Sequence, residues 1–193
     1  MIGRLSEYIV SWQIKRKILT EEQRVIYLYA YEVFMNYALN MIIAFLIAII
    51  MKAVLPVLLY LIIYFPMRFY GGGYHAKTNG GCTVASAFLI IIVCLIEKTI
   101  TGNIVFVMLP VSFAISGGLI FCYAPVSAIN KPLDELETVR YRLRSRQVWL
   151  VEAVIGMLSL FISTSAGVVI AMSHILFSFA LIGGMLVKRK NKA

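Results

Sequence analysis

His75 and Cys82, seven positions apart, have the residue types needed for nucleophilic chemistry. An imidazole takes a thiol proton and returns it to a departing amine, so this pair is the smallest set for cysteine-based acyl transfer. Both lie in the segment Arg68-Phe-Tyr-Gly71-Gly72-Gly73-Tyr-His75-Ala-Lys77-Thr-Asn79-Gly-Gly-Cys82. Consecutive glycines give a backbone that bends sharply or approaches a ligand closely. Gly80 and Gly81 precede Cys82 and an apolar run follows it, which predicts that Cys82 sits in the first turn of a helix. There the partial positive charge of unpaired N–H groups suits an anionic sulfur. The same groups suit a developing oxyanion. Arg68 and Lys77 add positive potential nearby.

Other side chains compete for roles. Glu152, the one carboxylate inside an apolar stretch, is a functional candidate by its setting. Either Glu152 or Asn79 orients His75, or Glu152 pairs instead with Arg146 or another basic group. Cys94 lies about 18 Å along its helix from Cys82 at about 1.5 Å per residue. Cys122 is the rival nucleophile. Zinc needs four ligands, or three and a water, and the remaining His and Cys positions do not supply them. No metal and no cofactor is expected. Three cysteines are too few and too scattered for a disulfide framework.

The elements that position these residues follow from composition. Of 193 residues, 61% are hydrophobic and 14% charged, and mean hydropathy is +0.89. A water-soluble globule of this size cannot hide so much apolar surface. Disordered, collagenous and disulfide-rich classes are excluded too, which leaves an all-α, polytopic membrane protein. The polar N-terminal segment has no short apolar stretch followed by a cleavage site, so no signal peptide is expected. The net charge of +9 reads as membrane topology rather than nucleic-acid binding, for which no signature is present.

Residues 1–32 form an amphipathic N-terminal segment. Ile2, Leu5, Tyr8, Ile9 and Trp12 share one helical face, and Lys15, Arg16 and Lys17 follow. A helix at the headgroup boundary and a cap packed on the other helices both fit this pattern. Six apolar stretches follow at about 33–51, 53–67, 82–96, 104–123, 148–163 and 166–187. Three are short for a hydrocarbon core of about 30 Å. With the N-terminus in the cytoplasm, all basic residues except Lys52 and Lys98 fall on one side. That asymmetry requires an even number of crossings. The expectation is six transmembrane helices in a single domain, with both termini cytoplasmic. A polar loop over 124–147 carries Asp134, Glu135, Glu137 and four alternating arginines. Ser112, Ser116, Gly117, Gly118, Gly183 and Gly184 read as small packing residues.

Arg68, the glycine run, His75 and Cys82, on a small six-span chain, resemble the accessory gene regulator B (AgrB) family of bacterial quorum-sensing peptidases. Tyr123-Ala-Pro-Val-Ser-Ala-Ile-Asn-Lys131-Pro132 looks like that family's second recurring segment, although Ser127 stands where an acidic residue is expected. The resemblance implies a cysteine endopeptidase of the bacterial cytoplasmic membrane, with its site on the cytosolic side. Its partner would be an AgrD-like propeptide with an amphipathic helix, a central pheromone segment and an acidic tail. By that likeness Cys82 attacks the carbonyl at the tail junction, and His75 serves as base and then acid. Arg68, Gly71, Gly72, Gly73, Lys77 and Lys131 bind substrate or support the site. A Cys or Ser of the peptide then attacks the thioester and closes a thiolactone or lactone. The family likeness also implies a homodimer.

Two readings from other classes stand against this. A small transporter or channel subunit would gather polar side chains near mid-bilayer on broken helices. The spans hold few polar residues, and Asn36, Asn40, Ser112, Ser116, Glu152 and His174 are expected at separate levels. A scaffold without chemistry would be indifferent to loss of the Cys82 sulfur. A cysteine acyltransferase would share the nucleophile but need an acyl donor.

Overall fold

A computed structural model describes residues 2–74, 78–100, 102–127 and 133–190, with Asn79 described by its backbone alone. The described residues form helices joined by turns and short extended segments. The helices are α1 (Ile2–Lys15), α2 (Arg24–Ile50), α3 (Val54–Gly71), α4 (Asn79–Thr99), α5 (Val105–Tyr123), α6 (Glu135–Ser159) and α7 (Thr164–Lys190).

Five of them are long and apolar enough to cross a membrane: α2, α3, α4, α5 and α7. The helices outrun the apolar stretches that mark them. α2 starts at Arg24 rather than near residue 33, and α3 and α4 extend to 18 and 21 residues. α6 departs from expectation. The polar segment expected as a loop to residue 147 is helical from Glu135 onward. Its acidic cluster is the reason: Asp134 caps the helix, accepting from the Glu137 N–H at 2.6 Å, while the Glu137 carboxylate accepts from the Asp134 N–H. The arginines therefore occupy the first half of a 25-residue helix. The apolar half ends at Ser159 instead of 163, which leaves α6 outside the set of self-evident spans.

α7 is the central helix. Within its most apolar window 67% of residues are buried, against 11% in α2, which lies on the periphery. It packs against α3, α4, α5 and α6. Glycines allow the close approaches: a Cβ on Gly117 would meet the Trp149 ring at 2.6 Å, and one on Gly156 the Phe113 ring at 2.6 Å. Gly117 and Gly184 behave as packing residues, whereas a Cβ on Gly118 meets nothing within 4 Å.

The turns explain the two non-glycine residues with positive φ. Lys17 (φ 58°) and Lys52 (φ 52°) each end a helix in the left-handed conformation. Around Lys52, the Lys52 N–H reaches the Ile49 carbonyl and the Ala53 N–H the Ala48 carbonyl, which closes α2 in a Schellman turn. The Lys98 ammonium adds a bond to the Met51 carbonyl, so Lys52 and Lys98 meet at one end of the bundle.

α1 lies against α2. Ser6 and Val10 are its buried residues, Gln13 donates to the Tyr31 hydroxyl at 2.7 Å, and Arg24 pairs with Glu7 at 3.2 Å. Leu5, Tyr8 and Trp12 point outward. The helix thus packs through its small and polar residues and leaves most of the apolar stripe free, the arrangement suited to an interface-lying helix.

Candidate functional site

The glycine run approaches the chain itself. At the end of α3, Gly71 lies under Phe177 of α7, where a Cβ would sit 2.6 Å from the ring. Gly72 (φ 74°) runs beside Val126, and a Cβ there would fall 2.1 Å from the Val126 carbonyl oxygen. Gly73 has φ 114° and fits between α7 and the Arg68 side chain. Only glycine accepts these conformations and contacts together.

Backbone bonds fasten the run on two sides. Val126 N–H donates to Gly71 O at 2.9 Å and Gly73 N–H to Val126 O at 3.0 Å, an isolated parallel β-bridge. Tyr74 N–H donates to Ala180 O on α7 at 2.6 Å. Gly184 lets the loop lie on α7, since a Cβ there would meet Gly73 C at 2.6 Å. From inside the loop the Arg68 guanidinium donates to the carbonyls of Gly72 and Tyr74. A planar fork with several donors suits that double contact better than an ammonium. The segment 123–127 and the glycine run, far apart in sequence, thus form one structure. At its edge Lys188 donates to Ser127 Oγ at 3.1 Å. A cleft of about 310 Å³ opens there, lined by Tyr123, Pro125, Val126, Met185, Lys188 and Arg189.

His75 and Lys77, which follow directly, lie outside the described residues, as does Lys131. Of Asn79 the side chain is likewise outside. The chain resumes at Thr78, the N-cap of α4, whose hydroxyl accepts from Gly81 N–H at 3.1 Å. Cys82 follows at the close of the first turn, half-buried and unoxidised. Its own N–H donates to Thr78 O at 3.1 Å. The Gly81 and Cys82 amides are therefore already engaged, which narrows the oxyanion donors expected at this terminus. Cys94 is fully buried among α2, α3 and α7 side chains, and Cys122 is exposed at the end of α5.

Glu152 is where sequence reasoning fell short. It does not reach Arg146, whose guanidinium donates to Phe121 O at 2.9 Å and lies over the Phe121 ring. Instead Glu152 Oε2 faces His174 Nε2 at 3.6 Å, both side chains buried. His174 Nδ1 lies 2.9 Å from Ser116 Oγ, which accepts from the Trp149 indole at 3.1 Å. Ser116, Glu152 and His174, expected at separate levels, share one. The signal was present in the sequence: a serine, a glutamate and a histidine, each in an apolar helix, need partners. What hid it was treating the helix as beginning near residue 148, which left Glu152 about one turn from its start, whereas α6 begins at Glu135.

No curated protein and no solved structure matches the chain. The family model described as Accessory gene regulator B matches residues 3–185, nearly the whole length. That match, on a chain with several long apolar helices, makes this protein a member of the accessory gene regulator B family, a multi-pass membrane protein with a role in Agr quorum-sensing propeptide processing.

Proposed function

We propose that the chain is a membrane cysteine endopeptidase that removes the C-terminal tail of an AgrD-like propeptide through a Cys82 thioester. The observation that carries this reading is the anchoring on both sides of His75. Tyr74 is tied to α7 and Thr78 caps α4, so the described chain is fastened on either side of the histidine's position in the sequence, the second anchor being the first turn that carries Cys82. Reaction proceeds by transfer of the Cys82 proton to His75 as the sulfur adds to the scissile carbonyl. The imidazolium then protonates the departing amine, and the tail leaves. A Cys or Ser of the bound peptide next adds to the thioester, giving its proton to His75, and Cys82 recovers that proton as it departs. Arg68 and the three glycines support the loop. In this reading Lys77 and Lys131 are assigned to substrate binding, and with Glu152 committed to His174, Asn79 is the remaining candidate to orient the imidazole.

The same reading takes six crossings, both termini in the cytoplasm and a homodimer. Support for the sixth crossing comes from contacts at the two ends of the apolar half of α6: Arg146 reaches the end of α5, and Leu160 lies against Gly167 at the start of α7. The buried Glu152–His174 contact is a feature a transporter would also have. Here, however, α5, α6 and α7 run unbroken past it and His174 has no exposure, unlike the interrupted helices of transport sites.

Intact-mass analysis of the purified protein with short acidic-tailed peptides tests the proposal. Wild type gains a peptide-sized adduct and releases the tail, whereas Cys82→Ala does neither. Tail release by Cys82→Ala at the wild-type rate would overturn it.

A further inference from the structure

The Glu152–His174 contact has no part in the chemistry above, yet it is costly to keep. Glu152 Oε2 and His174 Nε2 are both buried without a hydrogen-bond partner and face each other at 3.6 Å, and such groups reduce stability unless they satisfy one another. The contact joins α6 to α7, and the Ser116 hydroxyl on His174 Nδ1 joins both to α5. Three helices therefore share one polar point that fixes how α7 is rotated. Phe113 closes over the His174 ring at 4.3 Å between centroids. Arg146 is turned away to Phe121.

From that point α7 leads directly to the loop. Phe177, one turn on, covers Gly71. Ala180 O, two turns on, accepts from Tyr74 N–H. Gly184, about 15 Å along at about 1.5 Å per residue, lies on the Gly73 backbone. At about 3.6 residues per turn all three lie within about a third of a turn of His174 around α7, so a rotation of α7 displaces each contact that α7 makes with the Gly71–Tyr74 segment. Apolar packing alone tolerates small rotations, whereas a polar point in a low-dielectric interior, here the Ser116–His174 hydrogen bond with Glu152 facing the other ring nitrogen, resists them.

We infer that Glu152 and His174 are positioning residues: the Glu152–His174 contact sets the rotation of α7 and through it the placement of the Gly71–Tyr74 loop. The assignment to catalysis rests on the peptidase reading. Its geometry is testable without that reading. A Cβ on Gly183 lies 3.4 Å from Tyr74 Cβ, close to the separation of about 3.5–4.5 Å that a disulfide bridges.

The experiment places Tyr74→Cys and Gly183→Cys in a chain whose Cys82, Cys94 and Cys122 are serine, and follows cross-linking in membranes under a mild oxidant. Glu152→Leu slows cross-linking by about tenfold. Glu152→Gln, which keeps a polar group of the same length facing His174, stays within about twofold of the parent. A Glu152→Leu rate equal to the parent overturns the inference, as does a Glu152→Gln rate as slow as Glu152→Leu. Should the leucine variant fail to fold by size-exclusion, Ser116→Ala decides, since it frees His174 from its Nδ1 partner, and the Trp149 indole from its acceptor, with Glu152 left in place: slowed cross-linking supports the inference and the parental rate overturns it. In the cysteine-containing chain, Glu152→Leu lowers kcat for tail release by about tenfold with KM little changed. A wild-type chain that releases no tail overturns the peptidase reading while leaving the cross-linking order intact, so the two failures are told apart.

Discussion

At the scale of single residues, each member of the glycine run has a different demand placed on it. Gly71 must leave room for a ring, Gly72 must accept φ 74° beside a carbonyl, and Gly73 must lie against a helix. Gly72→Ala is therefore expected to lose at least about 2 kcal/mol, because the strained conformation and the overlap with Val126 O act together. A thermal melt of purified protein checks this, with Gly118→Ala as the neutral comparison since its Cβ position is open. The sequence announced that this segment was unusual, but glycines alone do not say what they approach. That information lay in Val126 and α7, and no local pattern carries it. His75, Cys82 and their spacing stood out in the sequence because chemistry restricts residue types, and of the two the structure describes only Cys82. The pairing of Glu152 with His174 was not, since it depends on where α6 begins.

Elements begin and end here for local reasons that substitution can address. Asp134 caps α6 through the reciprocal bonds with Glu137. Asp134→Ala is expected to cost about 1 kcal/mol and to fray the arginine-bearing first turns. Hydrogen exchange of amides at 135–140 would rise while those at 150–156 stay protected; equal protection throughout would mean that the box does not hold the helix start. The capping pattern was visible in the sequence as an acidic cluster after a proline, and reading it as loop polarity cost the first half of the helix. Apolar stretches located α2, α3, α4, α5 and α7 well because a span needs uninterrupted hydrophobicity. They placed the ends poorly because a membrane helix continues past the hydrocarbon into its polar margins.

For the whole molecule, α7 is the axis and α2 the rim. Sequence composition does not reveal that ranking, since both carry a long apolar stretch and differ chiefly in what surrounds it. The distribution of charge does bear on function at this scale. Lys188, Arg189 and Lys190 end α7 beside the 123–127 segment, and a basic surface of this kind speeds encounter with an acidic tail. Raising salt from about 0.05 to 0.5 M shortens the screening length severalfold, so KM for an acidic-tailed peptide is expected to rise with little change in kcat. A peptide with a neutral tail would show no such rise; equal salt sensitivity of the two would remove the steering role.

The bridge between Gly72 and Val126 also constrains how members of this family can be recombined. Residues 71–74 and 123–127 form one structural unit, although α4 and α5 separate them in the chain. A hybrid that takes the first segment from one relative and the second from another mismatches a backbone seam, whatever side chains it brings. Junctions placed before Arg68 and after Ser127 transplant both halves of that seam from a single parent.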